Sequence, residues 1–201
     1  MFCAVYSSNV IRMLETDSDT DLIAAVKGGN QRAFGEIVRR YEGIVASTTI
    51  SMLGPCSEAE DAGQETMIKL YKSLDLFKGQ SKLSTYVNRI AINTSLDSLR
   101  RRKKQMSRFF SMTDDEGTKW DNYIASDSDQ GRNFELRQAI GKAMTSLKPE
   151  FRAVAVLRLI QGFSTREVAD MLGIEKGTVL SRLSRAKAQL ADGLREDFGN
   201  D

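Results

Sequence analysis

The chain has 201 residues, of which 41% are hydrophobic and 28% are charged, and its formal net charge is +2. This length suits one large domain or two small ones. There is no histidine, and the two cysteines, Cys3 and Cys56, form no paired motif, which excludes the common zinc sites and every histidine-based catalytic triad. Without a signal peptide or a long apolar run, the chain is expected to be cytoplasmic, with no membrane insertion.

Apolar residues at helical spacing dominate the first half of the chain, whereas the alternation typical of strands is nearly absent. A long amphipathic helix is predicted to end near Leu53, at the following Gly-Pro pair. A second helix is predicted over about residues 57–74, with Ser57 and Glu60 at the spacing of a capping box. Its predicted apolar stripe consists of Met67, Leu70, Tyr71 and Leu74.

The loop DLFKGQSK leads into a predicted helix over about residues 83–103, which ends in the densest basic run, RRRKK. Periodicity then stops, and residues 106–133 have the acidic, serine-rich composition that is typical of a linker. We therefore expect an all-α fold of two small helical domains, 17–105 and 134–201, joined by a flexible acidic linker. Residues 1–16 are expected to be an N-terminal tail.

The second domain is predicted to contain a helix-turn-helix within the segment FSTREVADMLGIEKGTVLSRLSRAKAQL. Ser164 and Glu167 have the spacing of a capping box, and Gly173 suits a left-handed turn after the short helix. The next helix carries a core stripe and a separate polar stripe, which is typical of DNA-binding helices. The core stripe is Val179, Leu183, Ala186 and Leu190, and the polar stripe is Ser181, Ser184, Arg185 and Ala188.

Two segments resemble a known family. The helix-turn-helix segment resembles the promoter-binding domain of bacterial sigma factors of the extracytoplasmic-function (ECF) type. The segment EAEDAGQETMIKLYKSLDLFKGQSKLSTYVNRIAINTSLDSLRRRKK is similar to their polymerase-binding and promoter-melting domain. The resemblance implies a dissociable initiation subunit of RNA polymerase with no catalytic residue, metal or cofactor of its own. Its implied partners are core polymerase, promoter DNA and an anti-sigma factor.

The resemblance further implies that Asp61, Gln64 and Glu65 bind the clamp helices of the polymerase β′ subunit, with the β flap as a further polymerase contact. Spacings of three and four residues put the three side chains on one helix face. Gly63 stands where the family usually has a larger apolar residue, so it either softens the helix or lets the partner approach closely. Cys56 is either an inert thiol or a redox sensor.

The loop and the following helix resemble the family's promoter-melting region, in which a base must leave the stack before its pairing edge is read. Tyr86 replaces the family's common tryptophan and is either a core residue or a stacking platform. The implied contacts to the single-stranded minus-ten element are Phe77, Lys78, Gln80, Ser81, Lys82 and Asn93. Arg100, Arg101 and Arg102 are implied to hold phosphates.

The helix over residues 176–185 is implied to enter the major groove of the minus-thirty-five element, with Arg185 suited to a guanine edge. Leu180 stands where the family usually has lysine or arginine, so it either contacts a thymine methyl group or is neutral packing. The implied duplex-binding residues are Arg166, Lys176, Thr178, Leu180, Ser181, Arg182, Ser184 and Arg185. The alternative function is a stand-alone dimeric helix-turn-helix regulator, which would leave the DAGQET motif and the melting loop without a purpose.

Overall fold

The computed structural model describes residues 18–108 and 132–198, and within these ranges the chain forms helices and no strand. The described helices are α1 (Asp19–Lys27), α2 (Gln31–Leu53), α3 (Ser57–Ser73), α4 (Leu83–Arg108), α5 (Arg132–Ser146), α6 (Pro149–Ala155), α7 (Thr165–Leu172) and α8 (Lys176–Phe198). A 3-10 turn, Leu74–Leu76, follows α3, and a π-helical turn, Val156–Ile160, extends α6. The all-α prediction is confirmed. The predicted tail and most of the predicted linker lie outside the described residues.

The first block of the fold consists of α1 to α4, in which α2, α3 and α4 pack mutually. Its core is built from one apolar face of each helix, including Leu22, Ile37, Val45, Leu70 and Val87, which are all almost fully buried. Burying such faces is the main stabilising contribution to a helical domain, at about 25 cal/mol per Å² of apolar surface.

Two local features of this block differ from the sequence predictions. The predicted capping box of α3 is wrong: Cys56, not Ser57, is the N-cap residue, and its side chain makes no capping hydrogen bond. Helix α1 was not predicted. Its N-cap, Ser18, forms a capping box with Asp21, whose shorter carboxylate replaces the expected glutamate or glutamine.

The second block consists of α5 to α8 and contains the predicted helix-turn-helix, formed by α7 and α8. The capping box of α7 is confirmed, because the backbone N–H of Ser164 donates to Glu167 Oε2 at 2.8 Å and the N–H of Glu167 donates to Ser164 Oγ at 3.3 Å. Gly173 ends α7 with φ 63° and ψ 39°, in the left-handed region. The core stripe of α8 is confirmed by the burial of Val179, Leu183 and Ala186, and its last member, Leu190, is partly buried against the same cluster.

The two blocks pack directly on each other through one continuous apolar cluster. Met52, Ala62 and Ile92 from the first block lie in the same buried cluster as Leu147 and Phe151 from the second. The composition of residues 106–133 predicts two units joined by a linker, but it carries no information on this contact.

Glu36 on α2 is a buried carboxylate that stabilises the fold at neutral pH. Its side chain is only 8% exposed and accepts hydrogen bonds from Arg39 and Arg40, with Nη2 of Arg39 at 2.8 Å and Nε of Arg40 at 2.7 Å. Chiefly through the hydrogen bond from Arg39, these contacts lower the pKa of Glu36 below its ordinary value of 4.5. A carboxylate whose pKa is depressed by folding stabilises the protein above its unfolded-state pKa, and this contribution is lost as pH falls through the folded-state pKa.

We therefore expect Glu36→Gln to reduce the dependence of the unfolding free energy on pH below about 4.5. The measurement is urea denaturation at a series of pH values, with Glu42→Gln, at an exposed glutamate on the same helix, as the matched control. Identical pH dependence in Glu36→Gln and the wild type would contradict the role given to Glu36.

Candidate polymerase and nucleic-acid interfaces

The predicted polymerase-binding residues lie together on α3 but differ in their surroundings. Asp61 and Gln64 are exposed. Glu65 is partly buried and bridges two cations, with Lys69 Nζ 2.9 Å from its Oε1 and Arg101 Nη2 3.1 Å from its Oε2. The hydrogen bonds from Lys69 and Arg101 lower the pKa of Glu65 and keep it ionised. Asp61 and Gln64 are thus presented to a partner, whereas Glu65 also joins α3 to α4.

An apolar patch continues this face of α3. Ile68 is 54% exposed and Tyr71 is 49% exposed, and the Tyr71 ring meets that of Phe34 edge-on at 4.8 Å between centroids. Tyr71, predicted to belong to the apolar stripe of this helix, therefore lies at the half-exposed edge of that stripe. Protein interfaces typically combine an apolar, aromatic centre with a polar rim, and this face offers both. Gln64, Ile68 and Tyr71 are four and three residues apart, so the sequence alone could have predicted that they share one helix face.

Beside this face, a groove of about 220 Å³ runs between α2 and α3, and Gly63 lies on its wall. A β-carbon at Gly63 would lie 3.8 Å from Val45 Cγ1 and 3.9 Å from Thr49 Oγ1, which is ordinary contact. Packing within the chain therefore does not require glycine at this position.

The predicted melting loop is anchored by a hydrogen bond at its first residue, and its other predicted contact residues are exposed. The Lys27 side chain donates to the carbonyl oxygen of Phe77 at 2.9 Å. The rings of Phe77 and Tyr86 are 4.9 Å apart, and the Arg89 guanidinium lies 5.1 Å from the Tyr86 ring centroid. Tyr86 thus lies at the edge of the core and also forms part of a small ring-and-cation stack. The other predicted loop contacts, Lys78, Gln80, Ser81 and Lys82, are exposed.

Asn93 is exposed on α4, in a hollow of about 730 Å³ between the two blocks. Arg89 lines the same hollow from α4, and Asp170 lines it from α7. The predicted single-strand contact at Asn93 therefore lies exposed in an open hollow that the helix-turn-helix domain borders.

The arginines of the basic run are exposed but already paired. Arg100 Nη1 lies 2.8 Å from Asp97, Arg101 pairs with Glu65, and Arg102 Nη1 lies 3.9 Å from Glu58. Exposed ion pairs of this kind contribute about 0.2–1 kcal/mol each, so phosphates can replace the carboxylates at little cost. The sequence shows the run of cations, but its pairing with α3 depends on the tertiary fold.

The polar stripe of α8 is exposed, as predicted. Leu180 is 55% exposed beside Ser181 and Ser184, so it is not packed into the core. The Arg185 guanidinium lies 6.0 Å from the Phe151 ring centroid. Among the other predicted duplex contacts, Lys176 and Arg166 are exposed and Thr178 is partly buried. Arg182 is also partly buried, and it lines a groove of about 500 Å³ together with Arg100 and Lys103.

Comparisons with known proteins assign these two blocks to one class of protein. Residues 37–105 match the family model for sigma-70 region 2, and residues 137–190 match that for sigma-70 region 4. The chain is 33% identical over 178 residues to the ECF RNA polymerase sigma factor SigW of Bacillus subtilis, covering 87% of this chain and 95% of that one. It is 32% identical over 183 residues to the ECF RNA polymerase sigma-E factor of Escherichia coli, covering 87% and 93% of the two chains.

Two solved structures share the fold. One is the sigma factor RpoE in complex with the anti-sigma factor NepR from Bartonella quintana, with a TM-score of 0.65, 24% identity, and coverage of 81% of this chain and 96% of that one. The other is CnrH in complex with the cytosolic domain of CnrY, with a TM-score of 0.61, 27% identity, and coverage of 90% and 99%.

The chain belongs to the ECF sigma factors of the sigma-70 family. It is a dissociable subunit that directs promoter-specific initiation of transcription. Sigma factors, as a family, are not enzymes. None of these matches favours the stand-alone dimeric regulator. Within residues 18–108 and 132–198, no helix is long and apolar enough to cross a membrane.

Proposed function

We propose that this sigma factor uses three separate surfaces, and that the α3 face binds the clamp helices of the β′ subunit of core RNA polymerase in the cytoplasm. Asp61 and Gln64 supply its polar part, Glu65 its edge, and Ile68 and Tyr71 its apolar centre. The observation that carries this proposal is the exposure of polar and apolar side chains along one face of α3. The two proposed domains are residues 17–105 and residues 134–201. The second domain also contacts the β flap of the polymerase.

The second surface melts the minus-ten element. The loop from Phe77 to Lys82 receives a base that has left the stack, and Asn93 contacts the upstream edge of the bubble. The Lys27 side chain anchors the start of the loop by donating to the carbonyl oxygen of Phe77. Arg100, Arg101 and Arg102 exchange their carboxylate partners for phosphates when DNA arrives.

We expect Lys78→Ala combined with Lys82→Ala to lower open-complex formation on duplex promoter DNA about tenfold or more while leaving polymerase binding unchanged, because two charge-assisted contacts to the separated strand are lost. Permanganate reactivity of thymines in the bubble measures the opening. A template with a pre-opened bubble should restore most of the activity. Equal opening of the duplex promoter by variant and wild type would rule out a melting role for these lysines.

The third surface is the polar stripe of α8, which reads the duplex minus-thirty-five element in the major groove. Arg185 has a guanidinium able to donate in parallel to guanine O6 and N7, and the small Ser181 and Ser184 allow close approach of the backbone. Arg182, Lys176 and Thr178 contact phosphates beside it, as does Arg166 from α7. Because Leu180 is exposed within this surface, it contacts the thymine methyl group rather than the protein core.

Leu180→Lys is therefore expected to change which base is preferred at one position of the minus-thirty-five element. Loss of the methyl contact and gain of a donor should shift the preference from thymine towards guanine by about 1–3 kcal/mol. Selection of promoters from a library randomised in this element, with holoenzyme of each variant, measures the preference. Unchanged base preference at every position would show that Leu180 does not contact a base.

We further propose that an anti-sigma factor regulates this chain. The sigma factor RpoE, which shares this fold, is in complex with the anti-sigma factor NepR, and CnrH, which also shares it, is in complex with the cytosolic domain of CnrY. The exposed apolar residues Ile68 and Tyr71 on the polymerase-binding face offer that partner a surface to cover.

A further inference from the structure

Gly63 lies in the interior of α3, where nothing in the described part of the fold requires a glycine. A glycine inside a helix destabilises it relative to alanine. Glycine is normally found where the backbone has a positive φ or where two parts of a chain approach closely. The φ angle of Gly63 is not positive, and an added β-carbon would lie 3.8 Å from the nearest atom of α2, Val45 Cγ1. The remaining use of a glycine is to leave room for a partner outside the chain.

The space beside Gly63 is part of the groove of about 220 Å³ between α2 and α3. Its wall is mostly aliphatic and includes Val38, Ala46 and Ile50 from α2 and Met67 from α3. Pockets that bind small molecules usually have volumes of about 300–1,000 Å³, so this groove is small for such a ligand. One aliphatic side chain of a partner helix, inserted as a knob into a hole, suits both its size and its walls.

The charges on the rim of the groove are acidic. Of the described residues that line it, the charged ones are Glu42 on α2 and Glu60 on α3, and both are exposed. Neither makes an ion pair with another described residue, whereas three other glutamates of the same block, Glu36, Glu58 and Glu65, each pair with arginine. Two unpaired carboxylates, one on each helix, therefore favour lysine or arginine beside the inserted side chain.

The groove adjoins the proposed polymerase-binding face. Gln64 lines the groove and also belongs to that face, and the exposed Asp61 precedes it by three residues on the same helix. A partner helix that contacts Asp61 and Gln64 therefore passes the mouth of the groove at Gly63.

We propose that Gly63 keeps this groove open for one aliphatic side chain of the β′ clamp helices, flanked there by basic residues that pair with Glu42 and Glu60. Gly63 is then a specificity-determining residue, because a large side chain at this position would occupy the space that the clamp side chain needs. This inference rests on the proposed role of α3 in binding polymerase, and it adds a socket to that face.

The test fills the groove from each of its two walls. Gly63→Leu fills it from α3, and Ala46→Leu fills it from α2. Gly43→Leu is the matched control, because Gly43 is an exposed glycine of α2 that lies outside the groove and has open space around an added β-carbon. Fluorescence anisotropy of labelled protein measures the affinity for core polymerase, and urea denaturation measures stability.

Gly63→Leu and Ala46→Leu should each bind core polymerase about thirtyfold or more weakly than the wild type, whereas Gly43→Leu should bind unchanged. Gly63→Leu should still be at least as stable in urea as the wild type, since it replaces a helix-interior glycine and its β-carbon makes only ordinary contacts. Gly63→Ala leaves most of the groove open and should lose less than about threefold in affinity.

The rim charges have a test of their own. Glu42→Gln combined with Glu60→Gln should weaken polymerase binding about threefold to tenfold and make it less sensitive to salt, because two ion pairs across the interface are lost. Unchanged affinity and unchanged salt dependence would overturn the basic flanks assigned to the clamp side chain.

The outcomes distinguish the socket from the face that surrounds it. Unchanged affinity in Gly63→Leu and Ala46→Leu, in a chain that loses binding when Asp61 and Gln64 are replaced by arginine, would overturn the socket and leave the proposed face standing. If the arginine replacements also had no effect, the face and the socket would both be wrong. Sedimentation equilibrium tests a second copy as the occupant: a dimer of the free wild type that Gly63→Leu abolishes would overturn the assignment to the clamp.

Discussion

Core polymerase binding is expected to fall at least a hundredfold when Asp61 and Gln64 are both replaced by arginine. The two side chains are exposed on one face of α3, next to the apolar patch of Ile68 and Tyr71. Two cations there would remove the acidic and amide contacts and repel the basic residues expected on the clamp helices. A hundredfold loss corresponds to about 2.7 kcal/mol, which is in the range of a lost interface hot spot. Fluorescence anisotropy of labelled protein titrated with core polymerase measures it.

Asp192→Arg is the matched control, because it reverses an exposed carboxylate on α8 without touching α3. It should bind core polymerase as the wild type does. Unfolding by urea should be alike in all three proteins, since none of the altered side chains is buried. If the α3 variant bound polymerase with unchanged affinity, the clamp would have to dock elsewhere, and the proposed polymerase surface would be wrong.

Arg152→Met is expected to lower the free energy of unfolding by about 3 kcal/mol or more, because the buried carbonyl oxygens of Met52 and Leu147 and the partly buried one of Thr145 lose a charged donor. Burial, with a smaller contribution from the charge of Arg102, lowers the pKa of Arg152 to about 10, so that the guanidinium is still charged at neutral pH. Equilibrium unfolding in urea followed by circular dichroism measures the change.

Two further variants separate the effect of the Arg152 charge from the effect of its hydrogen-bond geometry and from that of removing any arginine. Arg152→Lys keeps the charge but not the planar fork that donates to separate carbonyls, so its stability should lie between those of the wild type and the methionine variant. Arg195→Met removes a cation that is exposed on α8 and should change stability by less than about 0.5 kcal/mol. An Arg152→Met protein as stable as the wild type would show that the buried guanidinium contributes nothing net.

The features that could be predicted from the sequence are those set by short-range spacing. The core stripe of α8, the capping box between Ser164 and Glu167, and the turn at Gly173 each depend on residues within a few positions of one another. For the same reason, the exposed position of Leu180 was predictable from the helical period alone. The family resemblance rests on such local segments, which is why both regions were identified before the fold was known.

The features that were missed depend on contacts between distant parts of the chain. Glu65 and Arg101 are paired across α3 and α4, so a proposed polymerase-binding residue and a proposed DNA-binding residue share one ion pair, which no local pattern reveals. The contact of Arg152 with Met52 spans 100 positions and joins the two blocks. Tyr71 was predicted to lie on the apolar stripe of α3, but helical spacing does not show which edge of such a stripe reaches solvent.

Run-off transcription tests the central claim most directly. Purified core polymerase would be supplied with genomic fragments, including the region upstream of this gene, in the presence and absence of the protein. A discrete start that depends on the protein, and that disappears when Asp61 and Gln64 are replaced by arginine, is the predicted result. Absence of any transcript, together with tight binding of the protein alone to duplex DNA, would contradict the account and leave the stand-alone regulator as the function.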